Sequence, residues 1–196
     1  LVEMVEDILD AMEPAKDEIR EYEGKIRLIG QYDADGINAT AIAHEMLDRL
    51  GKDFEYEIVK QLYEEDIERL EEEDEGLLLF VDIGSGQSEL IKEHIIEETD
   101  KKVVISDHHE PALDKEASEE LNEENTFIHK NPHFLGHDGG EAISAAGMTY
   151  LLAKKVDEEN KDLVPYALIG ATGDVQKQDG EFMGLNKNIV EEAVEN

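Results

Sequence analysis

The chain has 196 residues, 18 basic against 51 acidic side chains for a formal net charge of −33, and no cysteine. That length fits one domain, or one domain with a small appendage, and the missing cysteines exclude a disulfide framework, a thiolate nucleophile and a Cys-based zinc site. The acidic excess is spread along the chain, as on a folded acidic surface; at molar salt the Debye length falls to about 3 Å, so a halophilic setting relieves the self-repulsion.

An acidic mesophilic protein is the plainer alternative, and Lys outnumbers Arg while Glu outnumbers Asp. Leu1, Val5, Ile8, Leu9 and Met12 recur at helical spacing, which predicts an amphipathic helix that Pro14 kinks or ends. A second helical piece carries Ile19 and Tyr22 on one side, so residues 1–23 read as an N-terminal helical extension to a domain over 24–196. Lys25 to Gln31 reads as a strand. Directly after it, Tyr32-Asp33-Ala34-Asp35-Gly36 sets two carboxylates one residue apart before a helical run through Leu50. In a loop both acids can bend toward one ion or a pair, with Gly36 permitting a tight turn; the alternative is an ordinary helix cap, for which one Asp suffices.

Phe54 to Val59 is a further strand, and Glu64 to Glu75 a charged helix anchored by Ile67 and Leu70. Leu77 to Val81 is a buried-type strand ending on Asp82, followed by Gly84 and Gly86. Neither nucleotide-loop pattern is met there. After a helix over Gln87 to Glu98, the apolar run Val103-Val104-Ile105-Ser106 stops at Asp107-His108-His109. An open α/β sheet builds its site at such carboxyl ends of strands. Adjacent side chains diverge, so one imidazole can face a metal and its neighbour whatever the metal holds; a solvated loop is the bland alternative.

Leu113 to Asn125 is polar and reads as exposed. Thr126 to His129 is a short strand leading into the turn-rich loop Asn131 to Gly140. His129, His133 and His137 recur every four residues, but Pro132 and the glycines exclude a helix that would align them. A small-residue helix covers Ala142 to Val156, another runs from Pro165 to Gly170-Ala171-Thr172-Gly173-Asp174, and a last one covers Asn188 to Val194. No apolar run approaches ~18 residues and no basic-then-apolar leader precedes one, so neither a membrane span nor a signal peptide is expected, and a cytoplasmic location is.

Alternating strands and helices predict an α/β fold, a parallel Rossmann-like sheet flanked by helices. The strand ends at Gln31, Val81 and Ser106 then point one way, so Asp33, Asp35, Asp82, Asp107, His108 and His109 converge on one rim that Asp174 can reach. Carboxylates with one or two imidazoles suit Mn²⁺ or Mg²⁺, with Co²⁺ or Zn²⁺ as alternatives. If Asp82 bridges, two ions about 3.5–4 Å apart clamp a phosphate for hydrolysis.

Asp33-Ala34-Asp35-Gly36, Val81-Asp82-Ile83-Gly84, Asp107-His108-His109 and Gly170-Ala171-Thr172-Gly173-Asp174, in that order, resemble the four motifs of the DHH phosphoesterase superfamily. Asn131-Pro132-His133, Ser144-Ala145-Ala146-Gly147 and Gly173-Asp174-Val175-Gln176 are similar to its archaeal RecJ-like branch, which includes the GINS-associated nuclease related to Cdc45. The resemblance covers residues 25–178. It implies a Mn²⁺- or Mg²⁺-dependent nuclease or phosphodiesterase acting on single-stranded DNA or RNA or on short oligonucleotides, with a role in DNA replication and repair. It further implies that Asp35, Asp82, His108 and Asp174 hold one metal and Asp33 with Asp82 the other. Asp107 would support His109, which faces the scissile phosphate, and Asn131 and His133 would bind substrate.

Two departures stand out. Relatives carry His or Asp where this chain has Gln31, a neutral and weaker ligand, and they continue into a DHHA1 domain that grips substrate, which residues 1–196 are not expected to supply. The alternative reading is a Cdc45-like replisome scaffold that binds GINS with little catalysis. A pyrophosphatase is disfavoured by Ile29, where such relatives carry His.

Overall fold

The structure is a computed structural model that describes residues 2–123 and 127–195. The expectations for Leu1, Asn125 and Thr126 lie outside these residues. In chain order, α1 (Val2–Ala11) and α2 (Glu13–Glu21) precede β1 (Ile26–Gln31), α3 (Ala34–Arg49), β2 (Phe54–Val59) and α4 (Glu64–Glu72). Then come β3 (Leu77–Val81), α5 (Ser88–Ile91) with a π-helical continuation over Lys92–Ile96, β4 (Lys102–Ser106), α6 (Lys115–Asn122) and β5 (Phe127–Lys130). The chain ends in α7 (Gly139–Ala142), α8 (Ala145–Val156), α9 (Val164–Gly173), the two-residue strands β6 (Lys177–Gln178) and β7 (Glu181–Phe182), and α10 (Gly184–Glu195).

The first five strands form one parallel sheet in the order β2-β1-β3-β4-β5, and β6 pairs with β7 in a small hairpin. The apolar runs alternate between the two faces. Leu77, Leu79 and Val81 of β3 join a core with Ile26, Leu28, Val104 and residues of α3 and α8, whereas Leu78 and Phe80 pack with Ile67, Ile91, Ile95 and Phe127. Burial of both faces is why β3 reads as an unbroken apolar run. β2 is an edge strand and leaves Tyr56 and Ile58 exposed.

Ile8, Met12, Ala15 and Ile19 are wholly buried in the same core as α3 and α8, so α1 and α2 are packed into the domain body. Pro14 opens α2, where its missing N–H has no partner to lose. Among the described residues no helix is long and apolar enough to cross a membrane.

Several elements differ from the pattern. The helix after β1 starts at Ala34, so Asp35 and Gly36 lie in its first turn. The polar stretch after Leu113 contains α6, capped by the Asp114 side chain accepting from Ala117 N–H. The stretch from Ala142 to Val156 is not one helix: Ile143 and Ser144 are extended, and the Ser144 hydroxyl caps α8 by accepting from Gly147 N–H. The last helix starts at Gly184, four residues before the apolar pattern shows it.

Register fixes the site. Gly30 pairs with Val81, and Val81 with Ser106, so Gln31, Asp82 and Asp107 leave the sheet at one level. The chain order reverses between β1 and β3, and at such a switch point the adjoining loops diverge and open a crevice.

Candidate metal centre

The residues at this crevice come from four elements. Asp35 projects from the first turn of α3, Asp82 follows β3, His108 follows β4, and Asp174 caps the C-terminus of α9. His108 Nε2 lies 3.5 Å from Asp82 Oδ1 and 3.8 Å from both Asp35 Oδ2 and Asp174 Oδ2. The other ring nitrogen, Nδ1, is 2.9 Å from the Gly139 carbonyl. A carbonyl only accepts, so Nδ1 carries a proton, and Nε2, the nitrogen left for a second proton or a cation, faces the three carboxylates.

Asp35 is 2 % exposed, and its carboxylate accepts from Ala145 N–H at 2.7 Å and Ala146 N–H at 3.0 Å. These are free donors at the N-terminus of α8, where the helix dipole favours an anion. The break at Ile143–Ser144 starts the helix at the right place. α9 closes over the same carboxylate through Gly170, where a Cβ would come within 2.4 Å of Asp35 Oδ1 and of Ala146 Cβ. The small-residue run therefore lets a helix lie directly on this carboxylate.

Asp82 is 1 % exposed, and its Oδ1 has no hydrogen-bond partner. Its backbone sits at φ 59°, a left-handed conformation that Asp tolerates better than most residues. Burial, then the neighbouring Asp35 and Asp107, push the Asp82 carboxyl up to about 8. Asp35 is also raised, chiefly by burial. Burial alone would lower His108, but Asp82, Asp107, the Gly139 carbonyl and Asp35 hold it up at about 10. All three shifts favour added positive charge, which a divalent cation supplies. An orphaned carboxylate oxygen, an imidazole nitrogen oriented toward it and two further carboxylates fit such an ion, which would take the place of the imidazole's second proton.

Asp107 has a different place. It is fully buried and accepts from Ser85 N–H at 2.9 Å, His108 N–H at 2.7 Å, His109 N–H at 3.2 Å and His109 Nδ1–H at 2.8 Å. Burial works against its charge, but these donors and the two imidazoles hold the carboxyl far below the usual range. With Nδ1 engaged, His109 leaves Nε2 free at the surface, its side chain 48 % exposed beside Asp82. The Asp107 hydrogen bond raises the His109 pKa.

Asp33 is exposed and caps α3, its Oδ1 accepting from Gly36 N–H at 2.9 Å. With its amide nitrogen turned toward the carboxylates, Gln31 donates to Asp33 Oδ2 at 2.7 Å and to Asp82 Oδ2 at 3.3 Å. Both Asp33 oxygens are then occupied, and a protein amide sits between the two carboxylates expected to share a second ion. Asn131 is buried; it donates to Ser85 Oγ at 2.9 Å and to the His109 carbonyl at 2.8 Å and accepts from His133 N–H. His133 is partly exposed, with Nδ1 3.6 Å from Glu110 Oε2.

Sequence reasoning assigned no role to three contributors. Gln176 is buried and donates to Asp174 Oδ2 at 2.7 Å and to the Gly139 carbonyl at 2.9 Å, while its own carbonyl accepts from Asn186. Ser85 bonds Asp107, and the Ala145 and Ala146 amides bond Asp35. Gln176 and the last pair stand in quoted motifs, and Ser144 before a run of small helix formers is a local signal for the pair, whereas Ser85 had none.

Residues 25–173 match a family model described as the DHH family, N-terminal domain. An uncharacterised protein of Methanocaldococcus jannaschii is 36 % identical over 198 residues, covering all of this chain and 43 % of that protein. A crystal structure of exonuclease RecJ bound to manganese matches with a TM-score of 0.71 at 25 % identity, over 96 % of this chain and 47 % of that one. CDC45 from Entamoeba histolytica shares the fold, with a TM-score of 0.67 at 21 % identity over 96 % of this chain and 38 % of that one. The chain thus spans less than half the length of these relatives.

Proposed function

This chain belongs to the DHH family, and from that premise we propose that it is a divalent-metal-dependent phosphoesterase domain that hydrolyses phosphodiester bonds of single-stranded DNA or RNA or of short oligonucleotides. The observation that carries the reading is Asp82 Oδ1, buried without a partner 3.5 Å from His108 Nε2. Asp35, Asp82, His108 and Asp174 would hold one ion. Asp33 with Asp82 would hold a second, for which the Gln31 amide has to swing away. When bound, Mn²⁺ or Mg²⁺ neutralises phosphate charge and lowers the pKa of water.

The chain's own residues do the rest. His109 offers Nε2 to a phosphate oxygen, as donor when the ring is charged, and Asp107 fixes its tautomer. Asn131 acts from inside, holding the His109 backbone, whereas His133 stands at the rim where substrate can reach it. Domain limits at 24–196, after helices over 1–23, and a cytoplasmic setting complete the proposal.

One observation favours a second reading, a Cdc45-like scaffold in a replisome that binds GINS: the Gln31 amide stands where a ligand would. Hydrolysis of short single-stranded DNA and RNA with Mn²⁺ in molar KCl, with metal content measured in parallel, separates the two. The nuclease reading expects turnover by the wild type, and Gln31→His to raise the metal content and the turnover. Wild type and Gln31→His that both bind Mn²⁺ and both leave the oligonucleotide intact would count against hydrolysis by this chain alone, and would favour the scaffold only if a chain extended through any C-terminal domain were inactive as well.

A further inference from the structure

The acidic excess makes each uncommitted cation informative. Lys60 and Lys177 have neither an ion pair nor a side-chain hydrogen bond among the described residues, although the chain carries 51 acids against 18 bases. Each instead lies over an aromatic ring. Lys60 Nζ is 6.0 Å from the centroid of the Tyr32 ring, and Lys177 Nζ is 4.2 Å from that of Phe182. These are the two lysine–aromatic pairs among the described residues, and both stand close in the chain to candidate metal ligands.

Gln31 pairs with Val59 across the β1–β2 ladder, so Tyr32 and Lys60 leave the sheet at the same level. Tyr32 sits between Gln31 and Asp33, whose side chains meet at 2.7 Å, and it is 53 % exposed; Lys60 is exposed as well. On the α9 side, Gln176 holds Asp174, and the next residue, Lys177, opens the hairpin in which it faces Phe182. Both members of that pair are partly exposed. The end of α9 lies on the start of α3, since a Cβ on Gly173 would come within 2.4 Å of Ala34 Cβ. Two residues separate that contact from Tyr32 and four from Lys177. At no more than about 3.6 Å per residue, the backbones at Tyr32 and Lys177 are within about 27 Å of each other. Even at the duplex spacing of about 3.4 Å, about eight nucleotides reach from one to the other.

A lysine stem laid over a ring serves local packing, and that accounts for one such pair. It does not account for a half-exposed tyrosine directly before Asp33, or for two lysines that forgo the surplus acids. At −33 the surface repels a polyphosphate except where positive charge is left uncompensated. An accessible ring with a free ammonium beside it offers a single strand both of its needs, a face for a base and a charge for a phosphate. We propose that Tyr32 with Lys60 and Phe182 with Lys177 are two gripping sites that hold single-stranded nucleic acid across the metal centre. Each ring stacks a base, and each lysine, held only by its ring, turns to the adjoining phosphate. The proposal rests on the hydrolytic reading for what becomes of the strand, and not for whether the strand binds.

The test is fluorescence anisotropy of a labelled oligothymidylate of about twelve nucleotides, long enough to reach both sites. The whole chain carries His109→Ala so that the strand stays intact, with Mn²⁺ fixed and KCl varied, and cleavage by the wild type is followed in parallel. Tyr32→Leu and Phe182→Leu are each expected to weaken binding about tenfold, whereas Tyr32→Phe and Phe182→Tyr should bind as the parent does. Lys60→Gln and Lys177→Gln should each reduce the slope of log Kobs against log [KCl] by about 0.7, the value for one phosphate contact on a single strand. Lys161→Gln, in the turn before α9 and so at the far end of that helix from Asp174, should leave the slope unchanged. A parent chain that binds the strand, with the same affinity and slope in the Tyr32, Phe182, Lys60 and Lys177 variants, would overturn the proposal, and cleavage by the wild type would then leave the hydrolytic reading standing. Effects at one pair alone would overturn the path between the two. No binding by the folded, Mn²⁺-loaded parent would overturn the proposal as well. A strand gripped through these residues and left uncut by the wild type would uphold the proposal and count against hydrolysis by this chain alone.

Discussion

His108 Nε2 faces Asp82 Oδ1 at 3.5 Å, and that oxygen is buried with no other partner. Asp82 therefore gains more from a cation than Asp33, whose oxygens already accept from Gly36 and Gln31. Saturating Mn²⁺ at about 100 times its Kd should stabilise the wild type by about 2.7 kcal/mol, roughly 5–10 °C in Tm for a chain of this size. Asp82→Ala should remove that shift and Asp33→Ala keep most of it. Equal losses in a thermal melt would show that the two carboxylates contribute alike.

The saturated hydrogen bonding of Asp107 makes it a positioning group for His109. His109→Ala is expected to lower oligonucleotide turnover by about 10²–10⁴, the usual contribution of a proton-transferring side chain. Its Mn²⁺-dependent Tm shift should remain. Asp107→Asn should also lower turnover, and its pH profile should move to lower pH because the imidazole loses the carboxylate that raises its pKa. An unmoved profile would detach Asp107 from His109.

His129 makes acid stability measurable at one residue. Its folded pKa is lowered from 6.5 to about 4 by burial. Between those values the unfolded chain holds the proton and the folded chain does not, so stability falls as pH drops through this window. The loss amounts to about 3 kcal/mol by pH 4. His129→Gln, which keeps an acceptor for Ser85, should flatten this part of the pH dependence; urea melts of both proteins at matched pH are the check.

With 51 acids against 18 bases, ion pairs cannot neutralise the surface. Raising KCl from about 0.05 M to about 2 M should raise Tm steadily, since the screening length shrinks from over 10 Å to a few Å. A salt-independent melt would rule out self-repulsion as a major destabilising force.

The sheet and the polar strand ends at the crevice are legible because period and polarity change together at Gln31, Asp82 and Asp107. What the sequence hides is tertiary. The break at Ile143–Ser144 falls inside a run that reads as one helix, and its purpose, two amides for Asp35, spans 110 positions. The Gln31 contact depends on β1 and β3 being neighbours despite the order of the chain. Gln176 stands in the Gly173–Gln176 motif, but the bond of its amide to Asp174 depends on the path of the chain beyond α9. The Pro14 boundary was a matter of direction, since proline both ends and opens helices.

The left-handed backbone at Asp82 also separates two kinds of selection. At φ 59° glycine or asparagine is at least as comfortable as aspartate, and either would remove a buried carboxylate whose pKa is raised. A library of this domain screened for heat resistance alone, in the absence of divalent metal, should therefore drift to Gly or Asn at position 82. The same library screened with Mn²⁺ present should hold Asp there. Comparing the two populations would show what the aspartate is kept for without an assay for any substrate.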